Sequence, residues 1–214
     1  VGDGGQATSF EETGDLYIGE DYGLPYKHVR GGLPLTGDLY IRSGGVLIID
    51  GGSLEFMQEY VEPGHPTNRI STLIIEDGGK LVLRNATLTS RIINVNVTSA
   101  LPSLGILVRN GGVFEAYDST IIASGHLVVD DSTFNLTRSK VTGPSTDDVE
   151  SRCVQTFIPK GEFDDSLVML FMSSRVHLIG SSIEDVFESD NEDGSEMFSH
   201  NYGFVNDVNA ANGT

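Results

Sequence analysis

The chain has 214 residues, 31 of them acidic and 13 basic, for a formal charge of −18. That balance repels nucleic-acid phosphates and anionic membrane surfaces, which argues against either as a partner. The length supports one domain with a real core, and no apolar stretch approaches the roughly 18 residues that cross a bilayer.

Residues 1–36 read as an N-terminal arm or cap. They hold one echo of the downstream sequence: Gly14-Asp15-Leu16-Tyr17-Ile18 returns as Gly37-Asp38-Leu39-Tyr40-Ile41. The echo predicts either a degenerate first repeat or a capping strand.

Residues 37–186 are governed by an internal repeat. A pair of small residues recurs as Gly44-Gly45, Gly78-Gly79, Gly111-Gly112, Asp131-Ser132 and Ser173-Ser174. Each pair follows a short apolar run, and an aliphatic residue stands near the start of a third segment, at Leu54, Leu88, Ile121, Val141 and Ile183. Self-similarity at such a period marks a stacked architecture. Aligned on the second small residue, every repeat holds three short strands in about 20 residues, the length of one coil of a three-sided parallel β-helix. The excess residues fall in Gln58–Ser71, Ser90–Ser103 and Pro144–Asp165. Within them, Ile92–Thr98 and Cys153–Ile158 read as added strands. Residues 187–214 form an acidic, then Asn-rich, tail, loosely packed or docked elsewhere.

The middle strand of each repeat alternates cleanly. Leu47, Leu81, Phe114, Phe134 and Val176 fall on one inward row, and Ile49, Leu83, Ala116, Leu136 and Leu178 on another. Ile48, Val82, Glu115, Asn135 and His177 lie between them and face outward. Small residues at Gly52, Ala86, Ser119, Ser139 and Ser181 predict a tight second corner.

The first strand is apolar on both faces. Alignment puts Leu39, Leu73, Ile106, His126 and Val168, with Ile41, Ile75, Val108, Val128 and Leu170, inward. It leaves Tyr40, Ile74, Leu107, Leu127 and Met169 outward. A strand apolar on both faces is usually covered on both. That outer row is therefore the predicted assembly interface, together with the two ends of the stack, whose unpaired edges need partners.

Four sequons, at Asn85, Asn96, Asn135 and Asn212, predict an exported glycoprotein with N-linked glycans. The acidic run offers Glu188, Asp190, Asp193 and Glu196 as calcium ligands. Its spacing is not that of an EF-hand, and a solvated loop is the plainer reading. No catalytic constellation stands out. Asp130-Asp131 sits at a repeat corner, and Arg42, Glu76 and Arg109 form a row that charge pairing explains. The five histidines form no metal motif, and the lone Cys153 reads as a small buried hydrophobe, with an intersubunit disulfide as the alternative.

The run Ser71-Thr-Leu-Ile-Ile-Glu-Asp-Gly-Gly-Lys-Leu-Val-Leu-Arg-Asn-Ala-Thr-Leu88 resembles the coils of right-handed parallel β-helix proteins of the pectin-lyase-like type on archaeal and bacterial cell surfaces. The resemblance covers residues 37–186. It implies a β-helix fold of five to six coils and, for archaeal members, glycosylated components of surface layers, sheaths or filaments. No catalytic motif of the lyase members carries over. The expected function is thus that of a non-enzymatic structural subunit at the cell surface, partnered by copies of itself. The alternatives are a polysaccharide-binding or polysaccharide-cleaving protein and an adhesin.

Overall fold

A computed structural model describes residues 14–59, 71–93, 104–122, 126–142, 168–184 and 208–210. These residues are nearly all β, and their strands pair almost entirely in parallel. In chain order, β1 is Leu16–Ile18, β2 Tyr26–Arg30, β3 Leu33–Leu35, β4 Leu39–Ile41, β5 Val46–Gln58 and β6 Ser71–Ile75. Next come β7 Lys80–Ile92, β8 Leu104–Arg109, β9 Val113–Tyr117, β10 Thr120–Ile122, β11 His126–Asp130 and β12 Thr133–Thr137. Last are β13 Lys140–Thr142, β14 Val168–Met172, β15 Arg175–Ile179, β16 Ser182–Glu184 and β17 Val208–Ala210.

The strands form two sheets. One has six strands in the order β1-β4-β6-β8-β11-β14. The other has eleven, running β16-β13-β10-β7-β9-β12-β15-β17, with β5 on β7 and both β2 and β3 on β5. Each strand lies beside its counterpart in the next repeat. Leu47 pairs with Leu81, Leu81 with Phe114, Phe114 with Phe134 and Phe134 with Val176. All ten positions of the two predicted inward rows are buried. Phe114 and Phe134 stack at 4.9 Å between ring centroids, a geometry that adds about 0.5–1.5 kcal/mol beyond area burial.

The Gly-Asp echo is a complete first repeat. β1 pairs with β4 in parallel, Leu16 against Leu39, while β2 and β3 pair with β5. The aspartates explain why Gly-Asp recurs: Asp15 Oδ1 accepts the Asp38 N–H at 3.0 Å, and Asp38 Oδ1 accepts the Thr72 N–H at 2.9 Å. At the other end, β17 lies antiparallel on β15, with Val176 opposite Ala210. Part of the tail therefore docks on the sheet.

Two corners join the segments of each repeat. In the first three small-residue pairs the chain takes two consecutive left-handed residues, as at Asp77 (φ 52°) and Gly78 (φ 73°). Gly79 follows, where an added Cβ would fall onto the Ile41 carbonyl oxygen. So the first glycine supplies a positive φ and the second supplies room. The last two pairs turn with one left-handed residue, Asp131 (φ 46°) or Ser173 (φ 48°). They are one residue shorter.

That missing residue corrects the expected rows of the first strand. Leu127 pairs with Ile106, Val128 with Leu107 and Val129 with Val108. A one-residue slip exchanges the two faces of a strand. Leu127 and Val129 are therefore fully buried, and Val128, placed inward by alignment, lies on the outer face. The shift carries on into β14, where Met169 stands opposite Leu127 and Leu170 opposite Val128. Leu127 thus leaves the predicted interface row, and Met169 is in register with it, not with Val128.

Serine lines the second corner. The Ser119 hydroxyl donates to the Tyr117 carbonyl at 2.7 Å and accepts the Ala86 N–H at 3.1 Å. Ser139 Oγ accepts the Ser119 N–H and Ser181 Oγ accepts the Ser139 N–H, at 3.1 and 3.0 Å. Each of these buried amides is satisfied by the following repeat.

Candidate functional site

Among the described residues, an uncharged outward row lies on the six-stranded sheet. It runs Tyr17, Tyr40, Ile74, Leu107 and Val128, one side chain per strand and each partly exposed. Tyr40, Ile74 and Leu107 stand where the sequence places them; Tyr17 and Val128 are members that sequence reasoning missed. The echo of Tyr17 in Tyr40 was the signal for the first. The serine that replaces the second glycine in Asp131-Ser132 was the signal for the second, but aligning the pairs simply as small residues hid the shorter corner.

The row starts in an aromatic group. Tyr17 stacks on Tyr40 at 4.7 Å with 5° between the planes, and Tyr22 tilts against Tyr17 at 5.0 Å. The Arg42 guanidinium lies 4.9 Å from the Tyr40 ring centre. Burial raises the Tyr40 pKa, and the Asp38 and Asp15 carboxylates raise it further. Arg42 is held more firmly protonated by a hydrogen bond to Tyr22 and by the charge of Glu76, against the cost of its burial.

Beside this row runs a short charge ladder. Glu76, only 5 % exposed, takes Arg42 on one side and Arg109 on the other, each at 2.5 Å. A buried carboxylate is tolerable when paired and hydrogen-bonded. Two guanidinium groups, one from each neighbouring strand, hold this one. Glu76 is thereby committed to tying three strands together. The backbone of the Asp130-Asp131 pair builds the corner: the Asp130 carbonyl accepts the Ser132 hydroxyl, and the Asp131 N–H donates to the Met172 carbonyl.

On the eleven-stranded sheet the outward row is Ile48, Val82, Glu115, Asn135 and His177. Val82 departs from it by being almost fully buried. The Lys80–Glu115 ion pair, 2.8 Å long, runs diagonally across the strands beside it. The two described sequons differ. Asn85 is exposed at a corner with φ 47°. Asn135 stands mid-strand between Glu115 and His177, and its Oδ1 is buried without a hydrogen-bond partner. Asn96, Asn212, Cys153, the strand expected at Cys153–Ile158 and the calcium candidates Glu188, Asp190, Asp193 and Glu196 lie outside the described residues; so does most of Ile92–Thr98.

A shallow cleft of about 310 Å³ opens at the second corner, lined by Asp118, Thr120, Arg138, Lys140 and Ser182 among others. Arg138 forks onto Asp118 with two contacts of 2.6 Å, which lowers the Asp118 pKa. Among the described residues, no three His, Cys, Asp or Glu side chains converge as metal ligands. No helix among them is long and apolar enough to cross a membrane.

No protein-family model, curated protein or solved structure matches the chain.

Proposed function

We propose that the chain is a structural subunit of an extracellular or cell-surface assembly, built by self-association of a glycosylated parallel β-helix. The observation that carries this reading is the outward row Tyr17, Tyr40, Ile74, Leu107 and Val128. It puts one partly exposed apolar side chain on each of five adjacent strands. Parallel sheets are ordinarily covered on both faces, and a patch of that kind marks an interaction surface. The repeat-to-repeat register and the two corners per repeat support a right-handed, three-sided coil, with residues 14–36 as its first turn. The exposed corner position of Asn85 supports export and glycan attachment.

The reading involves no catalysis. Glu76 is occupied by two arginines, and the position of Asp130-Asp131 is explained by the corner that their backbone forms. A polysaccharide-binding role draws on the tyrosines near the N-terminal end. Yet Tyr17 already has Tyr40 against one side and Tyr22 tilted against its ring. It thus offers little open ring face to a sugar, and self-association is the better fit. Electron microscopy of native material and concentration-dependent light scattering test the proposal. Ordered arrays or growing particles are expected, with Leu107→Lys abolishing them. Dispersed single chains at millimolar concentration would sink it.

A further inference from the structure

The left-handed residue that opens the first corner stacks from repeat to repeat. Ser43, Asp77, Asn110, Asp131 and Ser173 have φ of 47°, 52°, 51°, 46° and 48°. The strands before them fix their order: Ile41 pairs with Ile75, Ile75 with Val108, Arg109 with Asp130 and Asp130 with Met172. Neighbouring strands lie about 4.8 Å apart, so Asn110 stands one strand spacing from Asp77 and one from Asp131. All three are exposed. Asn110 is the uncharged member between two carboxylates.

It is also followed by glycine, and Asn-Gly occurs once among the described residues. An asparagine side chain is open to attack by the backbone nitrogen of the next residue when no side chain shields that nitrogen. Gly111 is exposed, and even a Cβ built there would meet nothing nearer than the Gly78 nitrogen at 4.0 Å. Asn85 occupies the same conformation at the second corner, but the next nitrogen there belongs to Ala86 and is buried, donating to Ser119 Oγ at 3.1 Å. The Gly111 N–H has a different engagement: it donates to the Asp131 carbonyl at 2.8 Å and so joins two repeats.

We infer that Asn110 is a modification site: its amide is lost spontaneously, and the aspartate formed completes a row of three carboxylates with Asp77 and Asp131. The Gly111 nitrogen, its proton taken by hydroxide, attacks the Asn110 Cγ. A C–N bond closes a five-membered imide, the Cγ–Nδ2 bond breaks, and the departing nitrogen takes up a proton and leaves as ammonia. Water then opens the ring at the side-chain carbonyl to give aspartate, or at the main-chain carbonyl to give isoaspartate. The corner accepts aspartate, because Asp77-Gly78-Gly79 is the turn of Asn110-Gly111-Gly112 with the acid already in place. Isoaspartate adds a backbone atom and cannot keep that turn. Like charges opposite one another on neighbouring strands destabilise a sheet, so both products loosen the joint between β6, β8 and β11. Ring closure also requires the Gly111–Asp131 hydrogen bond to open, so the step runs through local opening of the corner. The inference does not depend on self-association.

The test is peptide mapping by mass spectrometry of the full chain, held for weeks in mildly alkaline buffer, folded or unfolded in urea. Asn110 should convert in both, at least about tenfold faster in urea because the corner no longer has to open, and Asn85 and Asn135 should lag behind it in the folded chain. Two variants then read the consequence. Asn110→Asp makes the product directly. Asn110→Ser is the neutral control, a residue that the row already holds at Ser43 and Ser173. Circular dichroism checks that both fold. In urea titrations at low salt, Asn110→Asp should raise the unfolding constant about threefold or more over Asn110→Ser. The gap should close towards about 1 M salt, where charges one strand apart are screened. A folded chain that keeps the Asn110 amide while the unfolded chain loses it would overturn the inference. Equal rates in the two states would remove the gating by the corner. An Asn110→Asp variant as stable as Asn110→Ser at low salt, or a gap that salt leaves unchanged, would remove the carboxylate row.

Discussion

The first corner is built one way in the early repeats and another way in the late ones. Residues 43–45, 77–79 and 110–112 use two left-handed residues and then a glycine pressed against the preceding repeat's backbone. Residues 131–132 and 173–174 use one left-handed residue and then a serine. The Ser174 hydroxyl accepts the Ser132 N–H at 3.2 Å and donates to the Met172 carbonyl at 2.6 Å. The long corner brings backbone against backbone, and only glycine fits. The short corner leaves room for a Cβ and fills it with a hydrogen-bonding hydroxyl. The same turn is thus closed by close packing in one half of the molecule and by polar bridging in the other.

The two corners should part most sharply at Gly79. Gly79→Val places a branched side chain on the Ile41 carbonyl and should cost about 4 kcal/mol or more, enough to unfold a marginally stable domain. Ser132→Val, at the equivalent position, should cost clearly less. Urea unfolding midpoints of the two variants decide it, and equal losses would mean that the corners do not differ as described.

The shorter corner also sets which side chains of β11 are inside. Leu127→Ala should cost about 2–5 kcal/mol, as for a buried leucine in a close-packed core. Val128→Ala, on the outer face, should cost under about 1 kcal/mol. The ordering would invert if β11 kept the register of the earlier repeats. Ser139→Ala comes next. It strips the acceptor from the buried Ser119 N–H, a loss of about 1–3 kcal/mol that denaturant titration can read.

The smallest effect concerns the exposed Asp118–Arg138 fork. Because the folded Asp118 pKa lies below its ordinary value of 3.8, the pair's contribution is present above that value and fades as pH falls through the folded pKa. Arg138→Gln should return the Asp118 titration, followed by carboxyl carbon NMR, to the ordinary range. No change on substitution would remove the arginine as the cause.

The sequence made the middle strands legible because their burial alternates with period two, so Leu47, Leu81, Phe114, Phe134 and Val176 announce a row without any knowledge of their neighbours. The corners were legible as small residues but not in their length. Glycine against serine at the second position goes with the difference between Gly111-Gly112 and Asp131-Ser132, but a small-residue alignment treats the two as equivalent, and Leu127 and Val128 exchanged faces as a result. β2 escaped notice because Tyr26, Lys27 and His28 carry no alternation; at the end of a stack the inward row need not be apolar. β17 is three residues long, too short for a periodic signal. Of the predicted outward row, Tyr40, Ile74 and Leu107 kept their place, since the early repeats share one corner length.

The serine line at the second corner has a direction. Ala86 leans on Ser119, Ser119 on Ser139, and Ser139 on Ser181; the amide always precedes and the hydroxyl always comes after it. Shortening the chain from its two ends is therefore not equivalent. Removing early repeats frees a hydroxyl, which can rotate toward water. Removing a late repeat takes the acceptor from an amide that is fixed in the corner and cannot turn, so water must answer it. A chain growing from its N-terminus carries one such unanswered amide at its leading corner until the next repeat arrives to answer it.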